Sequence, residues 1–300
     1  MEKKIGFVGL GHMGRWMALN LVKAGFEVAV LDLDPQAVGF LTAQGARAAP
    51  SAAALAGQVD WLFLSLPDTA VVERVVSGPE GIIQGARPGL AVIDLGTTAY
   101  MATLDLARRL AEHGIRYADA PVSGMESRAK DGTLTVMFGG PSTLFAELQP
   151  AFAAIGNTII NMGEVGSGQL TKLVNQLLFN TSVAAMAEIL PMAVKLGLDP
   201  EKVTQVVTTG TGRSFSVEFF APRILEGRFD EGYPLQDAYK DMVSAAEICA
   251  QRKIPLPMVH AATTTYQMAL AEGYGHESKG AMIKVFERLL GVRFRKEGKS

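Results

Sequence analysis

The chain is 300 residues long, and at about 150 residues per domain that length suggests two domains. With 48% hydrophobic and 19% charged residues the composition excludes a disordered chain, and a net charge of −2 leaves no basic footprint for nucleic acid or an anionic membrane. A single cysteine, Cys249, excludes an intramolecular disulfide and a cysteine-rich metal cluster, so no metal site is expected.

Met1-Glu-Lys-Lys and the run Ile5-Gly-Phe-Val-Gly9 read as mature structure rather than a signal peptide, because the apolar run is short and glycine-broken. Strands are then predicted at Lys4 to Val8, Glu27 to Leu31, Trp61 to Ser65, Ala91 to Asp94, Arg116 to Asp119, Leu134 to Phe138 and Thr158 to Asn161. Helical stretches at His12 to Ala24, Pro35 to Ala43 and Ala99 to Ala111 lie between them, and Gly25 stands where a C-terminal cap belongs. Beyond Gly163 strand signals stop, and 167–196, 200–209, 235–252, 255–272 and 276–290 read as helices. The fold class is therefore α/β, an N-terminal Rossmann-type doubly wound parallel sheet (1–162) followed by a C-terminal all-α domain (163–300). Leu170 to Leu198 is broken by Lys172, Asn175, Asn180, Glu188, Pro191 and Lys195, so it reads as a buried helix and not a membrane span. The basic end Arg293 to Ser300 reads as a frayed tail.

Gly9-Leu10-Gly11-His12-Met13-Gly14 follows the first strand and opens the first helix, the arrangement of a dinucleotide-binding fingerprint. Gly9 permits the tight turn, Gly11 lets backbone approach a pyrophosphate, and Gly14 allows close helix–strand packing. Asp32 ends the second strand at the spacing of the carboxylate that accepts ribose hydroxyls. With Asp34 close by and no neighbouring Arg, it would repel a 2′-phosphate, which favours NAD over NADP. His12 and Met13 belong to this loop, beside the pyrophosphate and away from the reacting carbon.

Lys172, Asn175 and Gln176 fall at i, i+3 and i+4 on a helix that is otherwise apolar almost all round. A lysine on such a helix is either solvated or buried with polar partners. Beside a nicotinamide it can give a proton to a carbonyl oxygen as hydride arrives, with Asn175 orienting it or the substrate.

Four blocks in order resemble the β-hydroxyacid dehydrogenase family, 3-hydroxyisobutyrate dehydrogenases and tartronate semialdehyde reductases among them. They are Phe7 to Gly14; Asp119-Ala-Pro-Val-Ser-Gly124 with Gly132 to Met137; Gly166-Ser-Gly-Gln-Leu-Thr-Lys-Leu-Val-Asn175; and Tyr239-Lys-Asp241. The resemblance implies that Lys172 is the catalytic lysine and Asn175 its substrate-positioning companion, and that Ser123 and Gly124 belong to a carboxylate-binding loop. It also implies cofactor contacts from Leu66, Pro67, Thr97 and Lys240, a long interdomain helix opening the second domain, and a homodimer or homotetramer. Met125, Gln176 and Gly96 depart from the family pattern, where a glycine, an asparagine and a serine are usual. The first two are thereby placed near the substrate. Pro255-Leu-Pro-Met258 and Met282-Ile-Lys-Val-Phe286 are similar to the 2-(hydroxymethyl)glutarate dehydrogenase branch.

The expected function is NAD-dependent hydride transfer with a small 3- or 4-hydroxy carboxylate or its semialdehyde, in the cytoplasm, with no nucleic-acid or membrane partner. An imine reductase on the same scaffold and a non-catalytic dinucleotide-binding module are the alternatives, and Lys172 weighs against both. Arg213 is open between clamping a second carboxylate and capping helix carbonyls.

Overall fold

The computed structural model describes residues 3–296 and divides into two compact units, Met1–Lys172 and Leu173–Ser300. In the first, β1 (Lys4–Val8) leads through α1 (Gly14–Lys23) to β2 (Glu27–Leu31), α2 (Pro35–Thr42) and the two-residue β3 (Arg47–Ala48). There follow α3 (Ala52–Ala56), β4 (Trp61–Leu64), α4 (Thr69–Ser77), α5 (Ile82–Gly85), β5 (Ala91–Asp94), α6 (Tyr100–Glu112) and β6 (Arg116–Asp119). The unit then adds β7 (Val122–Ser123), α7 (Met125–Lys130), β8 (Leu134–Gly139), α8 (Ser142–Ile155) and β9 (Gly156–Gly163).

The strand order β3-β2-β1-β4-β5-β6 is parallel throughout, reversing direction of growth at β1. That reversal is the switch point at which open α/β sheets bind ligands. The sheet is then extended by β8, which runs antiparallel to β6 and β7, while β9 pairs parallel to β8. The Leu134 strand thus departs from the all-parallel expectation. Its link from β6 holds only β7 and the six-residue α7, too little for the helical crossover that a parallel pair needs.

Alternation along the strands feeds two cores. Ile5, Phe7 and Phe63 turn to the face covered by Met17 and Leu21 of α1 and Phe152 of α8. Leu62, Leu64 and Val92 turn to the other, under Val72, Leu106 and Leu110 of α4 and α6. Phe7 stacks on Phe63 at 6.2 Å, and Phe152 meets Phe63 edge-on at 6.4 Å. Burying rings of this size stabilises the sheet by roughly 2–3 kcal/mol each.

The helix α9 (Ser167–Lys195) opens in the first unit and continues into the second, which adds α10 (Pro200–Thr209), α11 (Phe215–Leu225), α12 (Leu235–Arg252), α13 (Pro257–Ala271) and α14 (Ile283–Leu290). Among the described residues of this unit, pairing outside helices is limited to an isolated bridge between Pro234 and Ser278. Contrary to the sequence reading, α9 is long and apolar enough to cross a membrane, with a window of mean hydropathy 1.6. Two of its polar interruptions, Lys172 and Asn180, are buried inside the protein, however. Asn180 is fully buried and its Oδ1 accepts from the buried Lys279 Nζ at 2.8 Å, while Val183, Met186, Ala187 and Leu190 enter the helical core.

The basic end is not frayed as far as residue 296. Phe294 is fully buried, its N–H donates to Glu287 Oε1 at 2.8 Å, and Arg295 pairs with the same carboxylate. Residues 297–300 of that predicted tail, and Met1 and Glu2 at the other end, lie outside the described residues.

Candidate active site

The glycine loop between β1 and α1 is built by close approach. Gly9 takes φ +94°, and a Cβ on Gly14 would lie 2.0 Å from the Gly9 carbonyl oxygen. A Cβ on Gly11, by contrast, would meet nothing within 4 Å, so the protein's own packing does not require a glycine there. An anion brought against the backbone would. α1 has no side-chain cap and no acidic residue in its first turn, so the helix itself places no carboxylate at the positive end of its dipole. These residues fit a dinucleotide pyrophosphate. Gly14→Ala is expected to weaken NADH binding at least about 100-fold, because the loop must open to admit the methyl group. Isothermal titration checks it, and an unchanged affinity would refute this use of the loop.

Asp32 follows β2 directly. Its Oδ2 accepts the Leu10 N–H at 2.5 Å and its Oδ1 accepts the Asp34 N–H at 2.8 Å, so one carboxylate fixes both the glycine loop and the β2–α2 turn. Each oxygen retains a lone pair for a hydroxyl donor. Asp34 is occupied as the cap of α2, accepting the Gln36 N–H at 2.9 Å. The His12 side chain is largely exposed, with Nδ1 3.4 Å from Glu126, and Glu126 also accepts the Trp16 indole N–H at 2.9 Å. Glu126, in α7, carries no signal in the sequence reading. It ties the loop of His12 and Met13 to the segment that begins at Ser123.

Leu66 and Pro67 continue from β4, ahead of Asp68, which caps α4 through the Val71 N–H at 2.9 Å. Thr97 lies in the β5–α6 turn. Asp94 holds that turn, its carboxylate accepting Thr98 Oγ1–H at 2.6 Å and the Gly96 N–H at 2.9 Å. In the next connection Gly124 takes φ +145° and Met125 φ +62°, a left-handed conformation that a side chain adopts at a cost. The glycine usual at position 125 in the resembled family would carry no such cost, so Met125 places a thioether at this turn against local preference.

Lys172 is only 9% exposed, and its Nζ donates to the Val122 carbonyl at 2.8 Å, one residue before Ser123. The lysine is therefore buried with polar company, the second of the two readings open from sequence. Within the second unit, Asn175 is exposed and donates to Gln176 Oε1 at 3.3 Å, while Gln176 Nε2 donates to the buried Asp241 at 3.1 Å. Lys240 Nζ sits 5.8 Å from the Tyr233 ring. Arg213 pairs with Glu218 at 2.9 Å rather than with helix carbonyls.

The start of α9 is held by Asp119, fully buried at the end of β6. Its oxygens accept the Gly166 N–H at 2.6 Å and the Gln169 N–H at 2.7 Å. Burial raises its pKa to about 6, against the lowering effect of those two N–H groups. Because this lies above the usual 3.8, the folded state holds the proton more tightly than the unfolded chain; that stabilisation is complete below about pH 4 and is lost as pH rises through 6. Relative to Asp119→Asn, the parent chain should lose up to about 3 kcal/mol of unfolding free energy between pH 4 and 7. Denaturant titrations at several pH values test this, and a pH-independent difference would rule it out.

Two family models match in tandem. The NAD binding domain of 6-phosphogluconate dehydrogenase matches residues 4–163, and the NAD-binding domain of NADP-dependent 3-hydroxyisobutyrate dehydrogenase matches residues 166–286. The chain is 39% identical to 2-(hydroxymethyl)glutarate dehydrogenase of Eubacterium barkeri, covering 97% of this chain and 98% of that one. It is 32% identical to 2-hydroxy-3-oxopropionate reductase of Escherichia coli, over 95% and 97%. Among solved structures, 3-hydroxyisobutyrate dehydrogenase from Salmonella typhimurium superposes with a TM-score of 0.87 at 31% identity, covering 95% of this chain and all of that one.

Proposed function

Since the chain belongs to the β-hydroxyacid dehydrogenase family of NAD(P)-dependent oxidoreductases, we propose that it reduces a small semialdehyde carboxylate, or oxidises the matching 3- or 4-hydroxy acid, with Lys172 as general acid and base. Lys172 carries the reading: a buried ammonium beside the Ser123–Gly124 turn, held by a backbone carbonyl. When bound, the nicotinamide supplies or takes up the hydride. Lys172 Nζ gives its proton to the substrate oxygen in the reductive direction and recovers it in the oxidative one, so the oxygen never carries a full negative charge. Ser123, Gly124 and Met125 hold the substrate carboxylate end, and Asn175 with Gln176 orients the rest. The loop Gly9 to Gly14, Asp32, Leu66, Pro67, Thr97 and Lys240 hold the dinucleotide. In this reading 1–162 is the cofactor domain and 163–300 the substrate and oligomerisation domain.

The Eubacterium barkeri relative supports 2-(hydroxymethyl)glutarate, with 2-formylglutarate as its aldehyde, as the substrate. NADH and NADPH oxidation at equal concentrations with the semialdehydes of methylmalonate, succinate and tartronate and with 2-formylglutarate tests it. Turnover of 2-formylglutarate with NADH is expected. Silence across the panel, with turnover of a cyclic imine, would move the protein to imine reduction, and dinucleotide binding without any turnover would make it a binding module. The exposed Leu178 and Met192 of α9, and Leu196 just after it, support self-association as a homodimer or homotetramer, which sedimentation velocity checks; the cytoplasm is the proposed location, which cell fractionation checks.

A further inference from the structure

Gln169 has no role in the sequence reading, yet it is 3% exposed and every polar group of its side chain is committed. Its Nε2 donates to the Gly96 carbonyl at 2.9 Å, its Oε1 accepts the Thr98 N–H at 3.2 Å, and its own backbone N–H goes to Asp119. The primary amide therefore brackets Thr97 on both sides, as a neighbouring strand would. It does so from a position one turn before Lys172 on the same helix.

Both ends of this bridge are rigid. The turn is pinned by Asp94 through Gly96 and Thr98, and by the Ala99 N–H to Thr69 Oγ1 bond at 3.0 Å. The helix end is pinned by Asp119, and it packs so closely there that a Cβ on Gly168 would lie 2.8 Å from that carboxylate and 2.3 Å from the Met137 carbonyl. Lys172 closes the same frame through Val122.

We propose that Gln169 is a positioning residue: its amide locks the Gly96–Thr98 turn to the first turn of α9, holding Thr97 and Lys172 in fixed register for hydride and proton transfer. The proposal rests on the assignment of Thr97 to the cofactor and Lys172 to the proton. Gln supplies an uncharged donor and acceptor at this reach, which Glu matches only when protonated. Leu approaches its bulk and offers neither.

The test compares Gln169→Leu and Gln169→Glu with the parent chain. In the cofactor-free protein, amide hydrogen exchange at Thr98 is expected to speed up at least about tenfold in Gln169→Leu, because the N–H loses its acceptor. NADH binding should weaken about tenfold, and kcat should fall about 10- to 100-fold with the semialdehyde KM changed less than about threefold. In Gln169→Glu the introduced carboxyl reproduces the amide only when protonated, donating to Gly96 and accepting from Thr98. Its kcat relative to the parent should therefore rise as pH falls from 8 to 5.5, whereas the Gln169→Leu ratio should stay flat. The acidic groups tied to the same turns, Asp94 on β5 and Asp119 on β6, raise the pH at which that proton is held, and Tyr117 behind Asp94 and Lys172 along the helix complete the titratable surroundings.

Exchange, NADH affinity and kcat all within twofold of the parent would overturn the proposal. So would a loss of activity that only follows the unfolded fraction seen by circular dichroism, or a flat pH ratio for Gln169→Glu. Lys172→Met with normal turnover would instead remove the lysine's role, and the exchange and NADH measurements on Gln169, which do not involve the lysine, tell that failure apart.

Discussion

Lys172→Met is expected to lower kcat about 1,000-fold, within the 10²–10⁴ range of a lost general acid, while NADH affinity stays within about threefold. Methionine keeps the unbranched apolar stem of the lysine, one atom shorter, but has no proton to give. The oxygen of the reacting carbonyl would then have to take its proton from water or become an oxyanion in a site that lacks the ammonium. The cofactor loop is untouched, since Gly9 to Gly14 and Asp32 are held by each other. Folding should suffer little: the Val122 carbonyl loses its donor, at about 1 kcal/mol, and a buried cation is no longer desolvated. Stopped-flow NADH oxidation with saturating semialdehyde gives the number. A kcat within tenfold of the parent would end the assignment of Lys172 as proton donor, whatever the substrate.

The extent to which these features are legible in the sequence follows from the range of the forces involved. Strands β1, β2, β4 and β5 are readable because each is a largely apolar run bounded in the chain by glycine or turn residues. The two-residue β3 and β7 are not, because their only strand property is pairing: Ala29 with Arg47 and Val30 with Ala48 in one case, Val122 with Val136 in the other. Helix α11 carries Pro222 inside it, and α8 carries Pro150, so both break the pattern that marks a helix. The site divides in the same way. Lys172 and the glycine loop stand out through spacing within a few residues. Gln169 does not, because its partners are backbone atoms of Gly96 and Thr98, more than 70 residues away, and a carbonyl leaves no trace of its identity in the sequence. Glu126 is silent for the same reason of distance, meeting Trp16 across 110 residues.

In the proposed assignment the cofactor preference follows from Asp32. The parent chain should favour NADH over NADPH by about 100-fold in kcat/KM, and Asp32→Asn should bring that ratio close to one. A carboxylate about 4 Å from one unit of phosphate charge is repelled by about 4 kcal/mol at an effective dielectric of about 20, and partial exposure of Asp32 screens this to the order of 100-fold. Asparagine removes the charge yet keeps one oxygen for the Leu10 N–H, so the loop anchor survives and the effect is electrostatic. The bond to the Asp34 N–H is at risk in the variant, because an amide NH₂ cannot accept it. NADH turnover should accordingly fall about tenfold through lost ribose and turn contacts, while NADPH turnover rises. The two changes have different salt dependence: the NADPH gain shrinks at high ionic strength as screening weakens the repulsion it relieves, and the NADH loss does not. Steady-state kinetics with both dinucleotides at about 20 and about 500 mM salt separate them. A parent ratio near one, or a ratio that Asp32→Asn leaves unchanged, would reduce Asp32 to an anchor of the glycine loop and leave cofactor choice to residues outside the β2–α2 turn.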